Sequence, residues 1–249
     1  MLNTVGTTDL WVRRYHPRPE ARVRLVCLPH AGGAASYFFP VSRALTADIE
    51  VLAVQYPGRQ DRRTEPFIRT IDELADAVTA VLAEVARNGP LALFGHSMGA
   101  VLGFEVALRL ERTGVVPAAL FVSGRRAPST DRDERVHLLD DAGVLAEVRS
   151  LSGTDARVMD DDELVRMALP AIRNDYTAIE TYRCQPGPPL SCPIHAMVGD
   201  ADPKATIDEV RAWRDHTDAD FELHVFPGGH FYLDQQSTAV LAEITKVLA

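Results

Sequence analysis

The pentapeptide Gly95-His96-Ser97-Met98-Gly99 constrains this chain more tightly than any other segment. An apolar run, Leu91-Ala92-Leu93-Phe94, leads into it, and residues 100–110 after it carry apolar side chains at helical spacing. A serine between two such glycines, where a strand turns into a helix, sits on a sharp, strained corner. Side chains at the flanking positions would collide with the strand or the helix, and glycine removes them. Ser97 is thereby expected at a helix N-terminus, where unpaired backbone N–H groups can face a developing negative charge.

The rest of the chain supplies a scaffold for that corner. Residues 22–28, 49–55, 91–94, 118–123, 193–198 and 221–226 read as apolar strands. Helical patterns alternate with them at residues 37–46, 71–86, 206–216 and 237–248. In the second of these, Ile71, Leu74, Ala75, Val78, Val81, Leu82 and Val85 share one face. This alternation predicts an α/β fold with a mostly parallel central sheet and helices on both faces. Residues 1–21, with Pro17 and Pro19, read as an extended arm. Residues 128–189 break the rhythm, with helical patterns at 135–148 and 160–182 and no strand. They are expected to form a helical lid inserted over the carboxyl ends of the strands, within a single domain spanning residues 1–249. A packed helical subdomain without a gating role is the other reading. Pro186, Pro188, Pro189 and Pro193 mark a stiff return to the sheet.

Composition narrows the class of protein. The chain has 249 residues, enough for one full core, and a net charge of −9, which argues against a general nucleic-acid binder. No apolar run reaches membrane-spanning length, and residues 1–20 lack the apolar core of a secretory signal. Cys27, Cys184 and Cys192 fit neither a disulfide framework nor a zinc site, and Cys27 reads as a small core residue. No metal or cofactor is expected, and a reducing cytoplasm suits the cysteines.

A serine hydroxyl needs a base to take its proton, and in folds with this corner the chain order is serine, acid, histidine. His230 closes Phe226-Pro227-Gly228-Gly229-His230, directly after the last expected strand, and is the expected base. His195 and His224 fall within strands, His137 and His216 within helical stretches, and His16 in the arm; His96 reads as structural. The acid belongs in the loop Gly199-Asp200-Ala201-Asp202-Pro203. Asp202 is preferred because Gly-x-x-Asp carries the carboxylate beyond the strand end, with Asp200 the alternative. Two N–H donors should hold the oxyanion: Met98, after the serine, and Ala31 in the loop Pro29-His30-Ala31-Gly32-Gly33-Ala34.

Together with Gln55-Tyr56-Pro57-Gly58-Arg59 and the continuation Phe231-Tyr232, these motifs make nearly the whole chain resemble the type II thioesterases of polyketide and non-ribosomal peptide synthesis. The resemblance implies the α/β-hydrolase fold and a stand-alone editing enzyme, a serine thioesterase with Ser97, Asp202 and His230 as its triad. It implies removal of stalled or wrong acyl groups from phosphopantetheinylated acyl or peptidyl carrier proteins, with no nucleic-acid or membrane partner and a monomeric enzyme. An acidic carrier would need a basic patch, for which Arg59, Arg62, Arg63, Arg125 and Arg126 are candidates, with structural salt bridges as the alternative. Leu138, Leu145, Leu164, Met167, Leu169, Ile172 and Ile179 give the insertion more apolar surface than a small helical insert needs. Some are expected to face an acyl chain, with Met167 and Ile172 tuning chain length. Rival readings are an esterase or lipase of the same fold, an acyltransferase, and a silent hydrolase-fold binding protein.

Overall fold

A computed structural model of the chain describes residues 9–151 and 162–248. Its sheet comprises β1 (Val12–Arg13), β2 (Val23–Leu28), β3 (Ile49–Val54), β4 (Leu91–His96), β5 (Leu120–Ser123), β6 (Ile194–Gly199) and β7 (Phe221–Phe226), in the spatial order β1-β3-β2-β4-β5-β6-β7. The pairings from β3 through β7 are all parallel. The strand order reverses direction between β2 and β4, and the loops leaving these two neighbours open a crevice at the carboxyl edge of the sheet.

Both faces of the sheet are covered, which is why its inner strands are apolar throughout rather than alternating. Along β2, Val26 and Leu28 point into a core shared with α2 (Ile71–Ala86) and α3 (Met98–Arg112). Leu25 and Cys27 point into the opposite core, beneath α1 (Phe39–Ala44) and the C-terminal helix Ser237–Leu248. Helix α2 begins where the Thr70 side chain accepts from the Glu73 N–H, and its expected apolar stripe is the buried one. Helix α3 has no polar face along most of its length, since it lies between the sheet and α2.

The reading of the N-terminal arm is corrected in its described part. Val12 pairs with Val54 in the antiparallel sense, so β1 caps the sheet edge. Two residues are too few for a period-two pattern to register in sequence. Residues 1–8 lie outside the described residues.

Between β5 and β6 the chain forms a short 3-10 turn, Val136–Leu138, then α4 (Asp141–Ser150) and α5 (Asp162–Thr181). Asp140 starts α4 by accepting the Gly143 N–H at 2.8 Å. Val136, Val144, Leu169, Ile172 and Tyr176 bury one another in a small core of their own, which rests on Ala31. The described helices include none long and apolar enough to cross a membrane.

Candidate active site

The corner at Ser97 has the conformation its sequence requires. Ser97 has φ 55° and ψ −116°, a left-handed backbone that non-glycine residues rarely adopt. A Cβ on Gly95 would fall inside the Gly99 carbonyl, and one on Gly99 would strike the carbonyl of Leu28 at the end of β2. The corner is pinned by the Ser97 N–H, which donates to the Ser123 carbonyl at 2.8 Å. The serine hydroxyl therefore stands above the crevice between β2 and β4.

His230 and Asp202 arrive from the next strand ends. The Nε2 of His230 lies 3.1 Å from Ser97 Oγ, and its Nδ1 lies 3.0 Å from each Asp202 carboxylate oxygen. A carboxylate only accepts, so Nδ1 carries the proton and Nε2 turns its lone pair to the serine hydroxyl. Both side chains are buried, and Asp202 Oδ1 also accepts the Lys204 N–H at 2.8 Å. Asp200 points elsewhere. It is exposed, and its carboxylate accepts the Gly228 N–H at 2.9 Å, fastening the loop that carries His230.

Met98 and Ala31 sit on either side of the crevice. Met98 is the first residue of α3, and Ala31 lines the same cleft as Ser97 and His230. As the first residue of α3, Met98 has no acceptor for its N–H within its own helix, and the Ala31 N–H has no backbone acceptor among the described residues. The cleft's other walls are Leu151, Tyr176 and Ile179, together with Arg125, Glu134, Glu180 and Lys204. Among the described residues it offers only about 20 Å³ of open space. A larger apolar cavity of about 440 Å³ lies between α1 and the C-terminal helix and contains none of Ser97, Asp202 and His230.

Several contacts here have no signature in sequence. Asp175, from α5, forms a two-pronged pair with Arg59 at 2.7 and 2.9 Å and accepts the Gly32 N–H at 2.8 Å. Arg59 also donates to the Gly33 carbonyl at 3.0 Å, so this buried pair holds the glycine loop that carries Ala31. Replacing Asp175 by alanine would strand the guanidinium in the interior. Asp175→Ala is expected to cost about 3–5 kcal/mol, read as a lowered urea midpoint, and to reduce turnover with it. An unchanged midpoint would show that the pair does not hold the loop. Beneath Ser97 and His230, His96 Nδ1 lies 3.0 Å from Ser123 Oγ, which lies 2.6 Å from the Tyr232 hydroxyl. Burial, and then the neighbouring His230, hold His96 well below the ordinary histidine range and His30 down to about 3. Both rings are thus neutral supports beside His230.

Two expectations are met only in part. The basic patch does not exist as such: Arg59, Arg62, Arg125 and Arg126 are all buried, while Arg63 is exposed. Arg62 pairs with Glu65 at 2.6 Å and stacks on Trp11, and Arg126 pairs with Glu134 at 2.7 Å. Arg59, Arg62 and Arg126 are interior struts rather than a docking face. The apolar surplus of the insertion is also accounted for differently. Leu138 and Met167 are 68% and 63% exposed, so neither faces the cleft. Ile172 packs over Gly32, Leu169 belongs to the insertion's own core, and Ile179 lines the cleft. The side chain of Leu164 lies outside the described residues.

Away from the crevice, His195, Glu222 and His224 on β6 and β7 could bring ligand atoms within 4.8 Å of one another. They lie back along the strands and share nothing with Ser97.

The chain is similar to known proteins over nearly its whole length. The chain is 54% identical to the thioesterase PikA5 of Streptomyces venezuelae, over 97% of this chain and 86% of that protein. The structure of the type II thioesterase BorB from the borrelidin biosynthetic cluster superposes with a TM-score of 0.91 at 54% identity, covering 97% of this chain and 98% of BorB. RedJ, a thioesterase of the prodiginine pathway in Streptomyces coelicolor, gives a TM-score of 0.87 at 40% identity, over 93% of this chain and 87% of RedJ. The fold is accordingly that of the α/β-hydrolases. With residues 23–248 matching the thioesterase domain, a region that takes in the serine corner, Asp202 and His230, the chain belongs to the thioesterase family and is a thioester hydrolase.

Proposed function

We propose that this enzyme clears stalled or wrong acyl groups from the phosphopantetheine arms of carrier proteins in a polyketide or non-ribosomal peptide synthase. The observation that carries the chemistry is the unbroken run from Asp202 through His230 to Ser97, with contacts of 3.0 and 3.1 Å. Kinship with PikA5 and BorB supports the synthase setting.

In this reading Ser97 Oγ attacks the thioester carbonyl while His230 Nε2 takes the hydroxyl proton. The carbonyl oxygen becomes an oxyanion held by the Met98 and Ala31 N–H groups. As the C–S bond breaks, His230 returns its proton to the departing thiolate, leaving the acyl group on Ser97. Water then attacks the acyl-enzyme, losing its proton to His230, which hands it to Ser97 Oγ as the acyl–oxygen bond breaks and the free acid leaves. Asp202 holds the tautomer and balances the imidazolium charge in both halves. We further infer that α4 and α5 act as a lid over this site, since Leu151, Tyr176 and Ile179 wall the cleft around Ser97. The enzyme would act as a monomer in the cytoplasm, where its free cysteines stay reduced.

The test is acyl release from a panel of loaded carrier proteins, followed by intact mass. Loss of the acyl mass, with the bare phosphopantetheine arm left behind, is the expected result. Hydrolysis of simple oxygen esters with every loaded carrier left intact would favour the esterase reading instead.

A further inference from the structure

Among the described residues, Arg125 is a buried cation whose Nε has no hydrogen-bond partner. It follows β5 by two residues, so it stands at the same sheet edge as Ser97. Its backbone is fixed, since the Arg125 carbonyl accepts the Trp213 indole N–H at 2.8 Å. The residue is only 8% exposed, and its Nε is buried with no partner. Its nearest carboxylate, Glu134, is 3.9 Å away, beyond hydrogen-bond reach. Burial, and then the charge of Arg126, bring Arg125 down to about 10, so it remains cationic at neutral pH. A buried donor group left unsatisfied is costly, and such groups call for an explanation.

The surrounding acceptors are already engaged. Glu134 takes Arg126 at 2.7 Å and Lys204 at 3.1 Å. Glu180 accepts the backbone N–H groups of Val136 at 3.0 Å and His137 at 2.9 Å. Arg125, in contrast, lines the cleft that holds Ser97 and His230. An acyl group carried on Ser97 would enter that cleft, whose small volume brings the first carbons of the chain against its walls.

We propose that Arg125 forms a polar subsite that selects acyl groups bearing a neutral acceptor oxygen close to the thioester, such as a 3-hydroxy or 3-oxo group. A neutral oxygen satisfies the guanidinium without setting a new negative charge beside Glu134 and Glu180, which face the same cleft. A plain alkyl chain leaves the donors unpaired, and sites of this kind discriminate against analogues that lack the oxygen. This inference rests on the carrier-editing reading above.

The experiment compares one acyl carrier protein loaded with 3-hydroxybutyryl, butyryl or methylmalonyl groups. Each kcat/KM is divided by the rate of hydroxide hydrolysis of the same thioester, which removes intrinsic reactivity. The wild-type enzyme is expected to favour 3-hydroxybutyryl over butyryl by about tenfold. Arg125→Met should bring that ratio close to one, and Arg125→Lys should retain part of it. Equal wild-type rates for 3-hydroxybutyryl and butyryl overturn the inference whether or not the variants fold. So does an Arg125→Met enzyme that keeps the wild-type ratio. Preference for methylmalonyl over 3-hydroxybutyryl overturns the choice of a neutral oxygen. Release of none of the three groups overturns the editing function itself, a distinct failure.

Discussion

Ser97→Ala is expected to lower kcat by at least about 10⁴-fold while leaving the fold unchanged. In the proposed reaction the hydroxyl is the nucleophile, and alanine fits the same backbone at φ 55° as well as serine does. His230→Ala should cost about as much, because the hydroxyl is inert without the imidazole 3.1 Å away. The double variant should lose little beyond either single one, since the two act as a unit. Steady-state rates on a loaded carrier, with thermal unfolding as the control, test all three. Losses that multiply in the double variant would mean that serine and histidine work separately.

The two acidic residues of the β6–β7 edge should separate sharply. Asp202→Asn is expected to reduce kcat by roughly 10⁴-fold, because an amide can present its N–H to His230 Nδ1 and favour the wrong tautomer. Asp200→Asn should stay within about tenfold of wild type. Its remaining carbonyl oxygen can still accept the Gly228 N–H, and among the described residues the carboxylate at His230 Nδ1 is that of Asp202. Equal losses would show that the loop depends on Asp200 as much as the imidazole depends on Asp202.

Why the sequence disclosed some of this and not the rest is a matter of distance along the chain. The Ser97 corner is local: its glycines, strand and helix are contiguous, and the steric reason for each glycine can be stated without coordinates. The strand ends that carry Asp202 and His230 are legible for the same reason. The choice between Asp200 and Asp202 depends on which way a short loop turns. Spacing favoured Asp202, and in the structure the Asp202 N–H returns to the Gly199 carbonyl at 3.2 Å, turning its carboxylate inward. Contacts between distant segments left no pattern. Arg59 and Asp175 are 116 residues apart, and nothing near either one announces the other. The buried arginines read as surface charge because arginine is seldom buried, and only their partners explain the exception. Met167 looked like acyl-pocket lining because helical periodicity finds a face without saying what covers it.

A covalent acyl-enzyme at Ser97 is the central intermediate of the proposed reaction, and peptide mapping detects it directly. The enzyme is treated with a slowly turned-over acyl thioester or a serine-directed acylating reagent, digested, and mapped by peptide mass. The added mass should fall on the peptide that contains Ser97 and should vanish in Ser97→Ala. Label on any other serine, or on a cysteine, with Ser97 unmodified and turnover blocked, would contradict Ser97 as the nucleophile.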